Sequence, residues 1–261
     1  MRTRWKVCLV CLACLVLLVS GVCALRMIPI HVYDSFESST LSWRWSGMRL
    51  VAGAVQPEQQ IVHSGHQSLA ITVRSGDRHE DASDNGAATE RDEIMESWWL
   101  YSRIGRTYVY SFSIFLPEDL PSDANRLVIS QWRQLCEASR CRPDNPILAL
   151  RYQQGMLEIT GQHDQKRQVL YQSSANYKGR WLDFRFAIKF DQREGSVSAT
   201  LDGAPIVDYH GPTVFAATHG YPQHGPVYFK TGLYRDALNQ PPWTLYVDDY
   251  RKDECSQTGC R

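Results

Sequence analysis

The feature that most restricts the possible folds is a succession of short segments, rich in β-branched and aromatic residues, that begins at Ile28. Turn signals separate these segments roughly every ten residues, and helical periodicity is nearly absent. No internal repeat or linker divides the chain, which indicates one folding unit. We therefore expect an all-β domain, a two-sheet antiparallel jelly-roll sandwich (concanavalin A-like) in which one curved sheet forms a concave groove. The candidate strands are 30–36, 68–73, 91–94, 107–116, 126–132, 147–152, 157–160, 181–190, 196–201, 227–234 and 243–250.

The N-terminus has the pattern of an export signal. Basic residues precede the apolar run 7–19, and small residues follow at Cys23-Ala24, where a signal peptidase would cut. We expect a signal peptide over residues 1–24, a single domain over 25–261, and a secreted or periplasmic protein. Lipidation at Cys23 is the second interpretation, because Val22 is bulky where a small residue is preferred. An uncleaved anchor is the third, because the apolar run is short for a bilayer span.

The charge balance limits the partners of the chain. Lys and Arg number 28, as do Asp and Glu, and removal of the leader leaves 25 basic residues against 28 acidic ones. Such a chain has no overall basic field to gather nucleic acid or heavily sulfated polymers, so any recognition of anions must be local. Signatures of serine hydrolases and of His-Glu-x-x-His zinc enzymes are absent from the sequence.

The cysteines outside the leader fall into two pairs of equal spacing, Cys136 with Cys141 and Cys255 with Cys260. Export to an oxidising compartment favours two local disulfides, one tying a loop and one fastening the C-terminal tail. Four cysteines allow other pairings, and a tetrahedral zinc site is a further alternative.

The first polar pattern lies in the segment 90–94, just before the aromatic run 98–101. Successive side chains of a strand point to opposite faces, so Arg91 and Glu93 share one face. An arginine oriented by a carboxylate suits bidentate recognition of a second carboxylate, such as that of an acidic sugar. Taken alone, the same pattern also describes a salt bridge on the surface of a strand.

Two later segments repeat this one-faced polar alternation. Gln131 and Arg133 share a face, with Trp132 turned the other way; a strand that simply leaves the core for solvent would show the same pattern. Further on, Tyr228, Lys230, Gly232 and Tyr234 lie on one side of a strand. An ammonium near a phenol favours the phenolate and so proton transfer by Tyr234, and Gly232 leaves room for a ligand to approach the sheet. The alternative is a tyrosine packed on the stem of a lysine.

Together the three segments resemble the motifs of the jelly-roll polysaccharide lyases, the heparin lyase I-like and glucuronan lyase group and, more distantly, the alginate lyases. That group carries Arg-x-Glu, Gln-x-His and Tyr-Phe-Lys-x-Gly-x-Tyr on strands that line one groove. This chain has Arg-Asp-Glu at 91–93, Gln-Trp-Arg at 131–133 and Tyr-Phe-Lys-Thr-Gly-Leu-Tyr at 228–234. The resemblance extends from about residue 34 to residue 250.

The resemblance implies β-elimination across a uronic acid, which leaves 4,5-unsaturated uronate ends. Arg91 and Gln131 would bind or neutralise the carboxylate, Lys230 would assist the charge balance, and Tyr234 would be the acid and also a candidate base. Neutralising the carboxylate is physically necessary, because the C5 proton is only weakly acidic until the developing enolate is stabilised. The expected substrate-binding residues are Arg133, Glu93, Tyr228 and His163.

Position 133 departs from the motif, because the group usually has histidine there. Arginine cannot act as a base near neutral pH. Three alternatives follow: Tyr234 serves as base and acid in a syn elimination, another histidine such as His163 or His79 supplies the base, or activity is lost. Arg133 would then be an additional clamp for a carboxylate.

Two other functions also fit parts of the sequence. A retaining glycoside hydrolase would need two carboxylates close together, for which Glu90, Asp92 and Glu96 are superficially suitable. A lectin-like module would bind carbohydrate without cleaving it. We expect a lyase that acts as a monomer on an acidic polysaccharide, preferably an unsulfated uronan, with no catalytic metal. A structural calcium ion near Asp34 and Asp248 is a further hypothesis.

Overall fold

The computed structural model describes residues 29–78, 89–136, 141, 145–164, 166–221, 225–237 and 240–256. The regular secondary structure of these residues is almost entirely β-strand, and the helical segments among them are short 3₁₀ turns, Trp98–Leu100 and Ala217–His219. The strands are β1 His31–Asp34, β2 Trp45–Ser46, β3 Val55–Glu58, β4 Ser68–Val73, β5 Thr89–Glu96, β6 Thr107–Leu116, β7 Leu127–Gln134, β8 Leu148–Gln153, β9 Met156–Gly161, β10 Gln168–Ser173, β11 Arg180–Lys189, β12 Ser196–Leu201, β13 Ala204–His210, β14 Val227–Asp236 and β15 Trp243–Glu254.

The strands form two antiparallel sheets. One sheet has the order β13-β12-β11-β6-β15-β4-β3, with β1 also paired to β15. The other has the order β10-β9-β8-β7-β14-β5-β2. We call this second one the seven-stranded sheet. The all-β sandwich expected from the sequence is confirmed.

The strands that the sequence did not indicate lie at or near sheet edges. The edge strand β3 contains Pro57, which lacks a backbone donor and is tolerated there. The edge strands β10 and β13 are largely exposed, so they lack the apolar alternation that marks a half-buried strand. Elsewhere the turn chemistry was informative: Asp202 and Gly203, which join β12 to β13, both have positive φ, as a tight hairpin turn requires.

Aromatic side chains from both sheets make the centre of the core. Trp132 of β7 and Phe229 of β14 pack against each other with ring centroids 5.0 Å apart. Phe112 of β6 lies 5.2 Å from Phe229, and Phe186 of β11 lies 4.8 Å from Trp132. Each such burial contributes about 1.5–3 kcal/mol. Because these residues fill the space between the sheets, their strand neighbours are directed to the outer faces.

Cys136 and Cys141 form the expected disulfide, with Cα atoms 5.9 Å apart. Cys255 is also disulfide-bonded. Cys260 lies outside the described residues, as do the leader, His79 and most of the polar loop that precedes β5. Within the described ranges, no helix is long and apolar enough to cross a membrane.

Candidate active site

Three neighbouring strands of the seven-stranded sheet bring the polar motifs together. β14 lies between β7 and β5, antiparallel to both. Its Tyr234 is opposite Arg91 of β5, and its Lys230 is opposite Gln131 of β7. All four side chains lie on the outer face, because their neighbours Phe229, Leu233, Ile94 and Trp132 belong to the core. Segments far apart in sequence therefore converge on one surface.

A buried polar cluster occupies the middle of this surface. Glu93, Gln131 and Lys230 are each about 1% exposed. The amide nitrogen of Gln131 donates a hydrogen bond to one carboxylate oxygen of Glu93, and Lys230 Nζ lies 3.5 Å from the other. Glu93 thus orients an amide and an ammonium at the same time. Because Glu93 is buried, the alternative interpretation of its segment as a salt bridge on the surface of a strand is not supported.

The two charges of this cluster influence each other. Burial raises the pKa of Glu93, but Lys230, Arg91 and the Gln131 hydrogen bond hold that pKa below its usual value. Burial lowers the pKa of Lys230; Glu93 raises it, the nearby guanidiniums lower it, and the resulting pKa is about 8. Near neutral pH the cluster therefore contains a carboxylate and an ammonium, and the ammonium is close to losing its proton.

Tyr234 lies beside two guanidinium groups at one end of the cluster. The Arg91 guanidinium carbon is 4.2 Å from the centre of the Tyr234 ring. Arg126 Nη1 donates a hydrogen bond of 3.1 Å to Tyr234 Oη, and Arg126 Nε is held by Asp236 at 3.2 Å. The phenol oxygen of Tyr234 thus accepts a hydrogen bond from a charged donor. Unlike the buried cluster, Tyr234 is partly exposed and accessible to a ligand.

Tyr228 and Arg133 lie at the opposite end of the cluster and are opposite each other in the sheet. Both are partly exposed. The Tyr228 ring stacks on Tyr101 with centroids 5.1 Å apart, and Lys230 Nζ is 5.8 Å from the Tyr228 centroid. The sequence placed the lysine beside the phenol of Tyr234. In the structure its aromatic neighbour is Tyr228, and arginines accompany Tyr234.

Gly232 has a different role from the expected one. Its φ is 144°, and a Cβ atom there would lie 2.2 Å from the carbonyl oxygen of Asp92. The space above Gly232 is therefore occupied by the backbone of β5, and no room is left for a ligand. The missing side chain lets β14 and β5 approach closely, which brings Lys230 next to Glu93.

Positive charge is concentrated around the site although the whole chain has no net charge. Burial lowers the pKa of Arg151 on β8 to about 10, with Arg167 and Arg126 contributing to the decrease and Glu158 opposing it. Arg49 adds a further cation near Lys230. Crowded cations of this kind favour an anionic ligand.

The carboxyl groups considered for a glycoside hydrolase lie on the other face of β5. Glu96 accepts hydrogen bonds from Tyr250 Oη at 2.5 Å and from Lys252 Nζ at 2.9 Å, between the two sheets. Glu90 forms a buried ion pair of 2.8 Å with Arg235, and burial raises the pKa of Asp92 to about 8. None of these three shares the outer face with Tyr234, so the geometry does not support that alternative.

His163 does not join the cluster, and its expected substrate-binding role is not supported. It follows the end of β9, which β7 and β8 separate from β14. Its ring lies 6.5 Å from that of Tyr209 in the other sheet.

Sequence reasoning in turn missed Arg126 and Tyr101. Arg126 precedes β7 and carries no pattern of its own, whereas the exposed aromatic run that contains Tyr101 was a signal that could have been followed.

The carboxylates considered for calcium have other partners. Asp34 accepts hydrogen bonds from Trp45 Nε1 at 3.0 Å and Ser42 Oγ at 2.5 Å. Asp248 accepts from the backbone nitrogens of His63 and Ser64. Among the residues that the structure describes, no group of three or more His, Cys, Asp or Glu side chains is arranged to hold a metal ion. A structural calcium ion at Asp34 and Asp248 stays a prediction.

Comparison with known proteins agrees with this architecture. The endo-β-1,4-glucuronan lyase of the fungus Trichoderma reesei superposes with a TM-score of 0.63 at 16% identity, covering 86% of this chain and 94% of that one. An alginate lyase of polysaccharide lyase family 7 gives 0.53 at 12% identity, covering 79% and 85%. The cellulose induced protein gives 0.55 at 17% identity, covering 88% and 100%. None of the curated proteins matches the chain.

The chain folds as a jelly-roll sandwich, like the glucuronan lyase structure, and carries a polar cluster on the outer face of one of its sheets. The family model described as polysaccharide lyase matches residues 36–251. The chain therefore belongs to the polysaccharide lyase family. The resemblance drawn from the three sequence motifs is confirmed.

Proposed function

We propose that this polysaccharide lyase cleaves a uronate-containing polymer by β-elimination and leaves 4,5-unsaturated uronate ends. The observation that supports this most strongly is the placement of Tyr234 between two guanidinium groups, next to a buried Lys230–Glu93 pair. One partly exposed proton-transfer group thus lies within a cationic surface. An unsulfated uronan is the preferred substrate class, because the cations are local and the whole chain has no net positive charge.

The first task of the site is to neutralise the uronate carboxylate. Lys230 supplies positive charge at the centre of the cluster, Arg91 at the Tyr234 end and Arg133 at the Tyr228 end. Glu93 holds the Lys230 ammonium and the Gln131 amide in place. When the C5 proton leaves, its electron pair moves into the carboxylate, so a preorganised cationic site stabilises the transition state more than the ground state.

The second task is proton transfer. Tyr234 first accepts the proton from C5 as a base and then donates it to O4 as an acid. As a phenolate, stabilised by Arg91 and Arg126, it removes the C5 proton. The C4–C5 double bond forms as the C4–O4 bond breaks, and the Tyr234 phenol returns the proton to the departing O4. Both transfers occur on one face of the sugar, as a syn elimination requires, so no histidine is needed at position 133.

We also propose that the protein is exported. The leader pattern at residues 1–24 and the Cys136–Cys141 disulfide support this, because disulfides persist in oxidising compartments.

The test is an assay of polyglucuronate, alginate and a neutral glucan, with ultraviolet absorbance of the unsaturated product as readout. We expect Tyr234→Phe to lower kcat on the uronan at least about 100-fold while binding persists, because the hydroxyl is lost and the ring stays. Tyr33→Phe on the other sheet is the matched control and should retain wild-type turnover. Undiminished turnover by Tyr234→Phe would remove this residue from the mechanism. Reducing ends without absorbance would indicate hydrolysis, and binding without products a lectin-like protein.

A further inference from the structure

An exposed group of tryptophans lies beyond the chemistry described above. Trp98, Trp43 and Trp99 are 74%, 63% and 47% exposed. Ring centroids are 5.5 Å apart for Trp98 and Trp99, and 6.1 Å apart for Trp99 and Trp43. The three indoles thus form one surface, which we call the tryptophan patch. Contiguous exposed apolar surface of this kind marks a binding site more often than isolated exposed residues do.

The backbone holds the patch in a fixed arrangement. Ser97 Oγ donates a hydrogen bond to the carbonyl oxygen of Trp43 at 2.7 Å. The backbone nitrogen of Ser97 donates to the carbonyl oxygen of Arg44 at 2.8 Å. The buried side chain of Leu100 anchors the 3₁₀ turn that carries the other two tryptophans. The indoles are therefore presented to solvent in advance of binding, which reduces the entropy lost when a ligand binds.

Aromatic side chains connect the patch to the catalytic cluster. Tyr101, which follows the 3₁₀ turn directly, stacks on Tyr228, and Tyr228 lies next to Lys230. The Tyr101 hydroxyl points to Met95 Sδ at 3.9 Å, on the strand that carries Glu93. The patch thus continues the outer face of the seven-stranded sheet past the Tyr228 end of the site. Tyr234 is six residues from Tyr228 along β14, which corresponds to about 20 Å.

The charge of the patch indicates which ligand it suits. The Arg44 guanidinium carbon is 5.0 Å from the centre of the Trp43 ring. Aromatic faces stack against the apolar face of a sugar ring, and a guanidinium held flat on an indole presents its donors to a carboxylate. A membrane surface would also accept indoles, but peripheral membrane sites combine them with several basic residues. One stacked arginine beside a catalytic face favours an acidic sugar chain.

We propose that Trp43, Arg44, Trp98 and Trp99 form a distal subsite that binds the uronate polymer several sugars away from the bond that is cleaved. This inference rests on the proposed function, and it assigns the Tyr228 end of the site as the side on which the long part of the substrate lies. The subsite makes affinity dependent on chain length, because a short oligosaccharide at Tyr234 does not reach the patch.

The test compares a long uronan with its trisaccharide, using the double variant Trp98→Ala/Trp99→Ala and the single variant Trp98→Ala. We expect KM for the polymer to rise about tenfold in the double variant and less in the single one. KM for the trisaccharide should change less than twofold. Retardation in a gel that contains the polymer gives a second readout independent of turnover, and the double variant should lose it. Tyr33→Ala, an aromatic residue 55% exposed on the other sheet, is the matched control.

The outcomes separate this inference from the proposed function. A wild-type protein that cleaves the polymer, with a double variant of equal KM and equal retardation, would overturn the subsite alone. A wild type that neither binds nor cleaves any uronan would overturn both. A double variant whose KM rises equally for the polymer and the trisaccharide would place the tryptophans in the catalytic site and overturn a distal role. Loss of binding to anionic lipid vesicles with unchanged KM on the polymer would assign the patch to a membrane.

Discussion

At the scale of single residues, the site depends on a lysine whose charge is adjusted by its surroundings. Burial lowers the pKa of Lys230 to about 8, and Glu93 opposes the decrease. The protonated form is the one that neutralises a carboxylate. Activity should therefore decline on the alkaline side as Lys230 loses its proton.

Glu93→Gln tests this arrangement. The variant keeps the shape of the side chain but removes the anion that raises the pKa of Lys230, so the alkaline limb should move to lower pH. The wild type should retain about half its maximal kcat/KM near pH 8, and the variant less than half. The measurement is the pH profile of kcat/KM, with Glu194→Gln on the surface as control. A profile that rises through pH 8 would instead show that the protonated form of Lys230 is not required.

Gly232→Ala tests the close approach of two strands at the site. An added Cβ would lie 2.2 Å from the Asp92 carbonyl oxygen, so β14 and β5 would have to separate. We expect a loss of about 3 kcal/mol in the free energy of unfolding and loss of activity. Gly53→Ala is the control, because Gly53 also has positive φ, 75°, but nothing within 4 Å of its Cβ position. It should cost about 1 kcal/mol. An equal loss in the free energy of unfolding for Gly232→Ala and Gly53→Ala would contradict the close approach of β14 and β5 at Gly232.

At the scale of elements, β5 has two chemical faces. Its outer face carries Arg91 and Glu93 in the polar cluster, and its inner face carries Glu90 and Glu96 in buried ion pairs. Glu96 reaches across the sandwich to Lys252 of β15, so the catalytic strand is fastened to the opposite sheet. The alternation of the sequence predicted that neighbouring side chains of β5 diverge, but the partners came from strands that no local pattern identifies.

Lys252→Met should measure what this fastening contributes. Removing the ammonium leaves the Glu96 carboxylate buried with uncompensated charge, which typically costs about 3–5 kcal/mol. Adding Glu96→Gln should recover most of the loss, because the charge is then gone. The free energy of unfolding in urea is measured for both variants and for a control, Lys189→Met. Lys189 is a surface lysine whose Nζ lies 3.9 Å from the Glu194 carboxylate. The surface variant should stay within about 1 kcal/mol of wild type. A double variant no more stable than Lys252→Met would refute the explanation.

At the scale of the whole molecule, the sequence predicted the class of fold because alternation and turn residues are local signals. Period-two alternation predicted which side chains share a face within each strand, and the resemblance to the lyases implied that Arg91, Gln131 and Tyr234 line one surface. It could not predict the register. A bulge between Thr231 and Tyr234 shifts the pairing of β14 with β7. This irregularity arises from tertiary pairing, as does the position of Arg91 opposite Tyr234 in the pairing of β14 with β5.

The distribution of charge over the molecule leads to the last prediction. Basic and acidic residues are equal in number, yet arginines gather around Tyr234. Attraction of an acidic polymer should therefore come from a local electrostatic field. Salt limits the reach of this field to about 10 Å at 0.1 M, and to a shorter distance at higher concentration. We expect KM for the uronan to rise roughly tenfold between 50 and 500 mM NaCl, as for electrostatically steered association. Arg126→Gln should flatten this dependence, and Arg193→Gln, away from the site, should not. A KM independent of salt would mean that stacking and hydrogen bonds, rather than the arginines, determine the affinity for the polymer.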